Sequence, residues 1–246
     1  GLTYVAWYWN AGSSAVSNTD GSITSSVRAS QTSGFSIVSW TGTGASATIG
    51  HGLNAAPEMI IVKCRSHGST DWPVYHSGLG AGNRVYLSVN ASSSSGTNWN
   101  STSPTSSVFS VGNNPDTNGS SRTYVAYCIS PVAGYSAVGS YTGNGSTDGP
   151  FVYTGMRPAF LLIKQTDTSR DWIVFDAERS PINPDSTYLW PNLSDSELTA
   201  SPSVYGFDKL SNGWKLRGTT AYFNASGGTY IYAAFAEHPF KTARAR

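Results

Sequence analysis

Few side chains in this sequence have the types and spacing needed for acid–base catalysis. The best pair is Asp176 and Glu178, which on a β-strand would point to the same face roughly 7 Å apart, a separation that suits a glycosidase. Arg179 follows directly and offers either carboxylate an ion pair. We therefore interpret this segment as structural, and we expect no catalytic residues and no enzyme activity.

Metal and phosphate chemistry has even less support. The four histidines, His51, His67, His76 and His238, lack the paired spacing of a metal site, and neither H-x-x-x-H nor C-x-x-C occurs. Gly-rich phosphate loops work at the start of a helix, and no helix follows the Gly-x-Gly pairs of this chain. The sequence predicts neither a metal nor a cofactor.

Aromatic side chains offer a different chemistry, because sugar rings stack on exposed aromatic faces. The chain contains 8 Trp and 14 Tyr. Trp99 lies between two asparagines, and Trp190 comes shortly before Asn192. We expect both indoles to be exposed and Trp99, Trp190 and Asn192 to contact a glycan. The alternative is that the indoles pack under loops or against a neighbouring subunit.

Internal repetition separates these candidates from residues that serve the fold. The segment TYVAY at residues 123–127 recurs as TYIYA at 229–233, and TYVAW occurs at 3–7. Lys63 and Lys164, in matching apolar segments, are 101 residues apart. Residues that match between copies are predicted to be structural. They are Trp40 (opposite Tyr141), the pair Trp72 and Trp172, and the pair Tyr124 and Tyr230. In the same alignment Trp190 stands opposite Ser88 and Asn192 opposite Asn90, while Trp99 has no partner.

The predicted fold class is all-β, as two tandem, related antiparallel β-sandwiches of the jelly-roll or lectin-like kind. Short β-branched and aromatic runs alternate with Gly, Ser, Asn and Pro, and the best helix candidate is 195–198. Strands are predicted near 35–41, 46–51, 58–65, 71–76, 84–89, 107–111 and 122–130, and near 135–142, 150–154, 159–165, 171–176, 186–190, 204–208, 213–217 and 228–236.

The predicted boundaries place a sandwich at residues 34–133, a second at 134–240 and a tail at 241–246. Residues 1–33 are interpreted as the final strand of a preceding repeat, at 3–9, followed by a linker. Because such a strand cannot form a sheet alone, we expect the parent protein to extend upstream of Gly1.

The composition of the chain limits the kinds of partner that it is expected to bind. Charged residues make up 12% of the chain and the net charge is +1, which argues against a nucleic-acid surface. No apolar run reaches 18 residues, so no membrane insertion is expected. Cys64 and Cys128 align with Gln165 and Ala234, and we favour two buried thiols over a disulfide in the first sandwich.

Several strings carry a resemblance to a known family. They are GSYTGNG at 139–145, DGPFVYTG at 148–155, the Arg157-Pro158 step and NASGGTYIYAAFAE at 224–237. The chain resembles, from about residue 3 to 240, an uncharacterised repeat-domain family of marine and cyanobacterial phages, found in tail-fibre-like and other virion structural proteins. The resemblance implies a location on the virion surface and brings no catalytic residues with it.

The function expected from these observations is that of a phage tail fibre or similar appendage that adheres to host surface glycans. Its expected partners are copies of itself, with a trimer as the favoured state, other virion proteins and host surface polysaccharide. A capsid decoration protein and a tailspike-type glycan hydrolase remain alternatives, because repeats and a β-rich composition serve all three.

Overall fold

The computed structural model describes residues 4–12 and 14–239, and almost all of their regular structure is β. The all-β prediction is confirmed. In the first half the strands are β1 (Val16–Asn18), β2 (Ser25–Ser30), β3 (Phe35–Thr41), β4 (Ala47–Gly50), β5 (Met59–Cys64), β6 (Pro73–His76), β7 (Asn83–Tyr86), β8 (Ser94–Ser95), β9 (Val108–Val111) and β10 (Thr123–Ile129). In the second half they are β11 (Ser136–Thr142), β12 (Phe151–Tyr153), β13 (Pro158–Gln165), β14 (Ile173–Asp176), β15 (Thr187–Tyr188), β16 (Leu198–Thr199), β17 (Phe207–Leu210), β18 (Gly213–Leu216) and β19 (Thr229–Ala236).

Among the described residues, helical structure is limited to single turns. They are a 3₁₀ turn at Ser77–Leu79 and the α-helical turns α1 (Pro115–Asn118), α2 (Pro202–Tyr205) and α3 (Ala221–Asn224). The helical turn expected at 195–198 is absent, because strand β16 begins at Leu198.

Two large antiparallel sheets organise the chain. One has the strand order β1-β2-β3-β10-β5-β6-β7-β8, and the other has the order β11-β19-β13-β14. A small sheet, β4-β9, accompanies the first, and a three-stranded sheet, β12-β18-β17, accompanies the second. The strands β10 and β19, which carry the repeated Thr-Tyr sequence, lie inside the large sheets with a partner on each edge.

Three apolar clusters separate these sheets into four layers. The first fills the space between the eight-stranded sheet and β4-β9, and the second lies between the four-stranded and three-stranded sheets. The third lies between the two large sheets. Along β10, Tyr124 and Ala126 enter the first cluster while Tyr127 and Ile129 enter the third. The alternation follows from the two-residue period of a strand, and it covers β10 on both faces, as its apolar sequence predicts.

Corresponding side chains make corresponding contacts in the two halves. Trp40 faces Tyr124 across β3 and β10, with ring centroids 5.3 Å apart and an interplanar angle of 18°. Tyr141 faces Tyr230 across β11 and β19, at 4.9 Å and 12°. The pairing of β5 with β10 likewise places Lys63 opposite Val125, just as Lys164 stands opposite Ile231.

The tyrosine hydroxyls fasten the short helical turns to the sheets. Tyr124 Oη accepts the Gly119 N–H at 2.7 Å and donates to the Pro115 carbonyl at 2.7 Å, at the two ends of α1. In the second half Tyr230 Oη accepts from Ala225 N–H at 2.8 Å and donates to the Ala221 carbonyl at 2.7 Å. Both hydroxyls are inaccessible to solvent as part of fully buried side chains.

The amide side chains of the last residues in α1 and α3 are also matched. Asn118 Oδ1 accepts the Thr43 N–H at 3.0 Å, and Asn224 Oδ1 accepts the Asn144 N–H at 2.9 Å. These bonds hold the Gly-x-Gly loops at the ends of β3 and β11, which explains why the loop sequence repeats. The glycines mark the ends of these strands.

The N-terminal segment differs from its expected structure. Residues 4–10 form no strand, so the expected strand at 3–9 is wrong over its described part, and Thr3 and the expected tail at 241–246 lie outside the described residues. Trp7 and Trp9 instead pack beside the cluster between the large sheets. Trp9 meets Phe160 edge-on at a centroid distance of 5.3 Å. Packing of these indoles holds the segment in place, because the segment forms no strand that could pair with a sheet.

The boundary expected at residue 34 is also wrong. Strands β1 and β2 fall within the expected linker, and β2 pairs with β3 from Ser26 opposite Ser39 to Ser30 opposite Phe35. Val27 of β2 is buried in the first cluster. Two small apolar residues, Val27 and Ala29, among serines and an arginine were too weak a pattern to predict this strand.

An apolar cavity of about 440 Å³ remains between the two large sheets near the N-terminal segment. Aromatic side chains contribute much of its wall, among them Trp7, Trp9, Trp72, Tyr127 and Phe160. Trp172, the counterpart of Trp72, is fully buried and its Nε1 donates to the Tyr86 carbonyl at 2.7 Å. Trp72 is only half-buried, under the Lys63 ammonium at 5.5 Å. The two halves therefore pack against each other asymmetrically.

The two cysteines are buried and unpaired. Cys64 and Cys128 face the first cluster from β5 and β10. Burial raises the pKa of the Cys128 thiol to about 12, so this side chain behaves as a small apolar residue. Of the two states considered from the sequence, the structure contains the thiols.

Removing either capping hydroxyl tests its contribution to the fold. Tyr124→Phe and Tyr230→Phe each leave a backbone N–H and a carbonyl of a helical turn without their partner. We expect each variant to lower the free energy of unfolding by about 1–3 kcal/mol in denaturant titrations. Tyr153→Phe, whose side chain is 67% exposed, is the matched control and should change it by less than about 0.5 kcal/mol. Equal effects in all three variants would contradict the role of the hydroxyls.

The two matched tryptophans should differ in their contribution to stability. Trp172→Ala removes a fully buried indole together with its hydrogen bond, and it should cost about 3–5 kcal/mol. Trp72→Ala should cost clearly less, because that indole borders an existing cavity and is half-buried. Urea unfolding of both variants measures the difference. A larger loss for Trp72→Ala would show that the asymmetry is wrong.

His76 should make stability fall in mild acid. Its ring is fully buried, Nε2 donates to the Tyr232 carbonyl at 3.2 Å, and Nδ1 accepts the Gly78 N–H at 3.0 Å. Burial lowers the pKa of His76 from 6.5 to about 4. Between these values the unfolded chain binds a proton that the folded chain does not. The free energy of unfolding should therefore be highest above pH 6.5 and fall by up to about 3 kcal/mol as the pH approaches 4.

His76→Gln isolates this effect, because it removes the titrating ring. Burial also lowers the pKa of His51, which gives a fall in the same direction and persists in the variant. Denaturant titrations between pH 7 and about 4 should show a shallower pH dependence for His76→Gln than for the wild type. Parallel curves for wild type and His76→Gln would refute the assignment.

Candidate functional site

The expectation that Trp99 is exposed is wrong. Its side chain is 1% exposed and meets Tyr75 edge-on at a centroid distance of 5.8 Å, inside the first cluster. The neighbouring Asn98 is itself fully buried, and its carbonyl accepts a hydrogen bond from Thr117 Oγ1 at 3.2 Å. Trp99 is thus buried together with Asn98 although Asn100 is exposed, and the indole cannot stack on a sugar in this conformation.

Trp190 is half-buried and packs against the second cluster. It meets Tyr188 edge-on at a centroid distance of 5.0 Å. Val174 exchanges backbone hydrogen bonds with Leu189, as Val74 pairs with Val85 in the first half. The register therefore places Trp190 opposite Tyr86, and the expected match with Ser88 is wrong by two residues.

Asn192 holds the chain rather than presenting its amide to solvent. Its Oδ1 accepts the Trp172 N–H at 2.9 Å, and its Nδ2 donates to Asp171 Oδ1 at 2.7 Å. In the first half the hydroxyl of Ser88 makes both bonds, accepting from Trp72 N–H at 3.1 Å and donating to Asp71 Oδ1 at 2.8 Å. Asn192 is thus the counterpart of Ser88 and not of Asn90.

The two carboxylates considered from the sequence, Asp176 and Glu178, lie in different environments. Asp176 is 7% exposed and accepts hydrogen bonds from Trp7 Nε1 at 2.7 Å and from the Glu178 N–H at 2.9 Å. Arg179 Nε lies 3.4 Å from Asp176, and Arg179 also pairs with Glu197. Glu178 is exposed. Asp176 therefore ties the N-terminal segment to β14, and it corresponds in register to His76.

Within residues 4–12 and 14–239, no three His, Cys, Asp or Glu side chains gather in a geometry that could hold a metal ion. In the same part of the chain, no helix has the length and apolar character needed to cross a bilayer.

An exposed aromatic pair occurs where the sequence had not suggested one. Phe151 and Tyr153 on β12 are 44% and 67% exposed, while Val152 between them enters the second cluster. The pair therefore stands on the outer face of the three-stranded sheet. Gly213 lies opposite Tyr153, and a Cβ at Gly213 would come within 3.0 Å of the Phe151 ring. The missing side chain leaves room for that ring to lie against the sheet.

Charged residues of the same small sheet accompany Phe151 and Tyr153, the pair that we call the β12 aromatic surface. Lys215 lies opposite Phe151 and forms an ion pair with Asp148 at 2.7 Å. The hydrogen bond and charge of Lys215 lower the pKa of Asp148. Arg217 and Asp208 form a second ion pair at 2.6 Å on β17 and the end of β18. Exposed rings bordered by charged hydrogen-bonding groups suit the stacking and hydroxyl contacts of a sugar.

The described residues of the first half form no such surface. The pairing of β4 with β9 places Thr48 and Gly50 at the positions of Phe151 and Tyr153. Ser22 exchanges hydrogen bonds with Thr48, and the Asn18 side chain occupies the space above Gly50. The alternation Phe-Val-Tyr at 151–153, absent from the matching Thr-Ile-Gly at 48–50, is the sequence signal that could have identified the surface.

The structure thus defines a layered all-β protein with an exposed aromatic surface on one small sheet. The profile of the family described as Domain of unknown function (DUF7483) matches residues 1–239, and the chain belongs to this family. No curated protein and no solved structure matches the chain.

Proposed function

We propose that the chain is built from two related sandwiches of the jelly-roll or lectin-like kind, each consisting of one large sheet and one small sheet. The matched tyrosine hydroxyls, the matched Asn118 and Asn224, and the equal pairing registers of Lys63 and Lys164 support this. The large sheets then pack face to face, so that each sandwich covers the other. The first sandwich includes β1 and β2, and the second begins with β11.

We propose that this protein is a surface component of a phage particle, a tail fibre or a similar appendage, and that it adheres to host glycans as a homo-oligomer. The observation that carries adhesion is the exposure of Phe151 and Tyr153 beside two ion pairs. The phage context rests on the resemblance of the strings at 139–145, 148–155 and 224–237 to virion repeat domains. The site is assigned to the β12 aromatic surface, since Trp99 and Asn192 are engaged within the fold.

The two alternative functions, glycan hydrolysis and capsid decoration, require different structural features. A tailspike-type hydrolase needs two carboxyl groups facing one groove, whereas Asp176 is buried against Trp7 and Glu178 is exposed. A capsid decoration protein would use the exposed aromatic residues to bind other virion proteins. Adhesion is favoured because isolated rings with a charged border suit a polar ligand, and single weak sites gain avidity from identical subunits.

Truncating the rings tests the site. Phe151→Ala and Tyr153→Ala should each weaken binding of purified protein to host envelope polysaccharide about tenfold, which corresponds to roughly 1.4 kcal/mol. Tyr8→Ala removes an exposed ring that lies outside the three-stranded sheet and is the matched control. Binding and polysaccharide chain length should be followed together, for example by biolayer interferometry and gel filtration of the glycan.

Three outcomes would contradict the proposal. Shortened polysaccharide would favour the hydrolase. Failure to bind polysaccharide, together with tight association to empty capsids, would favour decoration. Equal binding by wild type, Phe151→Ala and Tyr153→Ala would remove the β12 aromatic surface from the site.

A further inference from the structure

The outer edge of strand β11 in the second half is open, whereas the corresponding edge of β3 in the first half pairs with another strand. Strand β3 has β10 on one edge and β2 on the other, whereas β11 has β19 on one edge and ends its sheet. In the described chain no second strand pairs with β11. The open edge also changes the exposure of the stacked aromatic residue beside it. Trp40 on β3 is 4% exposed, whereas Tyr141 on β11 is only half-buried.

The hydrogen-bond pattern identifies the open backbone groups. Ala236 N–H donates to the Tyr135 carbonyl and Gly143 N–H donates to the Gly228 carbonyl, so the odd-numbered residues of β11 bond to β19. In an antiparallel ladder the alternate residues point the other way. The N–H and carbonyl groups of Val138, Ser140 and Thr142 therefore point outward.

The same residues are engaged in the first half. Gly42 N–H donates to the Arg122 carbonyl, which turns the even-numbered residues of β3 toward β10 and the odd-numbered residues toward β2. Ser39, the counterpart of Ser140, is thus paired with Ser26. The open edge of β11 therefore corresponds to the edge of β3 that pairs with β2.

The sequence of strand β11 has none of the features that prevent edge-to-edge pairing, and the 3₁₀ turn at Ser77–Leu79 packs against its inner face beside Ser140. The β11 sequence, SAVGSYT, contains no charge and no proline, and the register of the strand with β19 is unbroken over seven residue pairs. Natural sheets protect long open edges with lysine, proline, bulges or a covering segment. A free edge of this kind is a template for another strand.

We propose that β11 pairs antiparallel with β11 of a second copy of this chain, across a two-fold axis at Ser140. In this register Ser140 faces its own copy and Val138 faces Thr142, so all three open residues on each strand are satisfied. The Ser140 pair reproduces the Ser26–Ser39 pair of the first half. No charge opposes a like charge. The two four-stranded sheets become one sheet of eight strands, the size of the other large sheet.

This pairing gives an even number of copies and favours a dimer over the trimer expected from the sequence. It is independent of glycan binding, since β11 belongs to the four-stranded sheet and the β12 aromatic surface to the three-stranded one. The occupant is a second copy because the register is self-complementary.

Introducing a charge at the two-fold axis is the sharpest test. Sedimentation equilibrium of the full chain should give twice the 26.0 kDa of one chain. Ser140→Lys and Ser140→Asp should each weaken self-association at least about tenfold, because like charges stand directly opposite each other. An equimolar mixture of the two variants should restore the dimer. Ser17→Lys, at an exposed serine on the terminal strand β1 of the other large sheet, is the matched control and should leave the dimer intact.

Cross-linking gives a second readout that does not depend on the charged variants. Residues that face each other in a hydrogen-bonded antiparallel pair have Cα atoms about 5.5 Å apart, within disulfide range. Ser140→Cys should therefore form a covalent dimer under mild oxidation and Ser17→Cys should not, while Cys64 and Cys128 are buried. A monomeric wild type, a mixture of charge variants that stays monomeric, or a Ser140→Cys variant that forms no covalent dimer would each overturn the proposal.

Discussion

The hydrogen-bonded strands β10 and β19 have apolar side chains on both faces, and the rest of the structure depends on covering those faces. One face of each strand is covered by a small sheet and the other by the opposite large sheet. Neither half could leave its inner face in water, because Tyr127 and Ile129 on β10, and Ala233 and Phe235 on β19, lie there. The four-layer arrangement follows from this pattern of burial, and the N-terminal indoles cover part of the remaining apolar wall.

Positions at which the two halves differ show where the common fold does not require a particular residue. His76 and Asp176 occupy the same register, yet the first binds a carbonyl of the opposite large sheet and the second binds the Trp7 indole. Thr48 is tied to Ser22, whereas its counterpart Phe151 is exposed. Contacts present twice, such as the tyrosine hydroxyls on α1 and α3, maintain the structure in both halves. The unmatched positions can differ without loss of that framework.

The sequence predicted the strands well because short apolar runs between turn residues are a local signal. Every predicted segment overlaps a strand, although 204–208 begins in the helical turn α2. The repeat aligned Trp40 with Tyr141 and Tyr124 with Tyr230, and in the structure Trp40 faces Tyr124 as Tyr141 faces Tyr230. The site was predicted less well. Polar neighbours gave no measure of the burial of Trp99, since Asn98 is buried with it. An insertion before Trp190 shifted the alignment by two residues and hid the equivalence of Asn192 and Ser88.

One difference between the halves explains both unusual surfaces of the second. Residues 16–30 run beside β4 and β3 in the first half, where Ile23 N–H donates to the Thr48 carbonyl and β2 pairs with β3. The described chain has no matching segment beside β12 and β11. Without that segment Phe151 and Tyr153 can be large, and the edge of β11 is open. Because the two rings project from a different sheet, pairing of β11 with its copy would leave them free. Two copies would then present two aromatic surfaces on one rigid body, and the second sugar contact would be made at a high effective concentration.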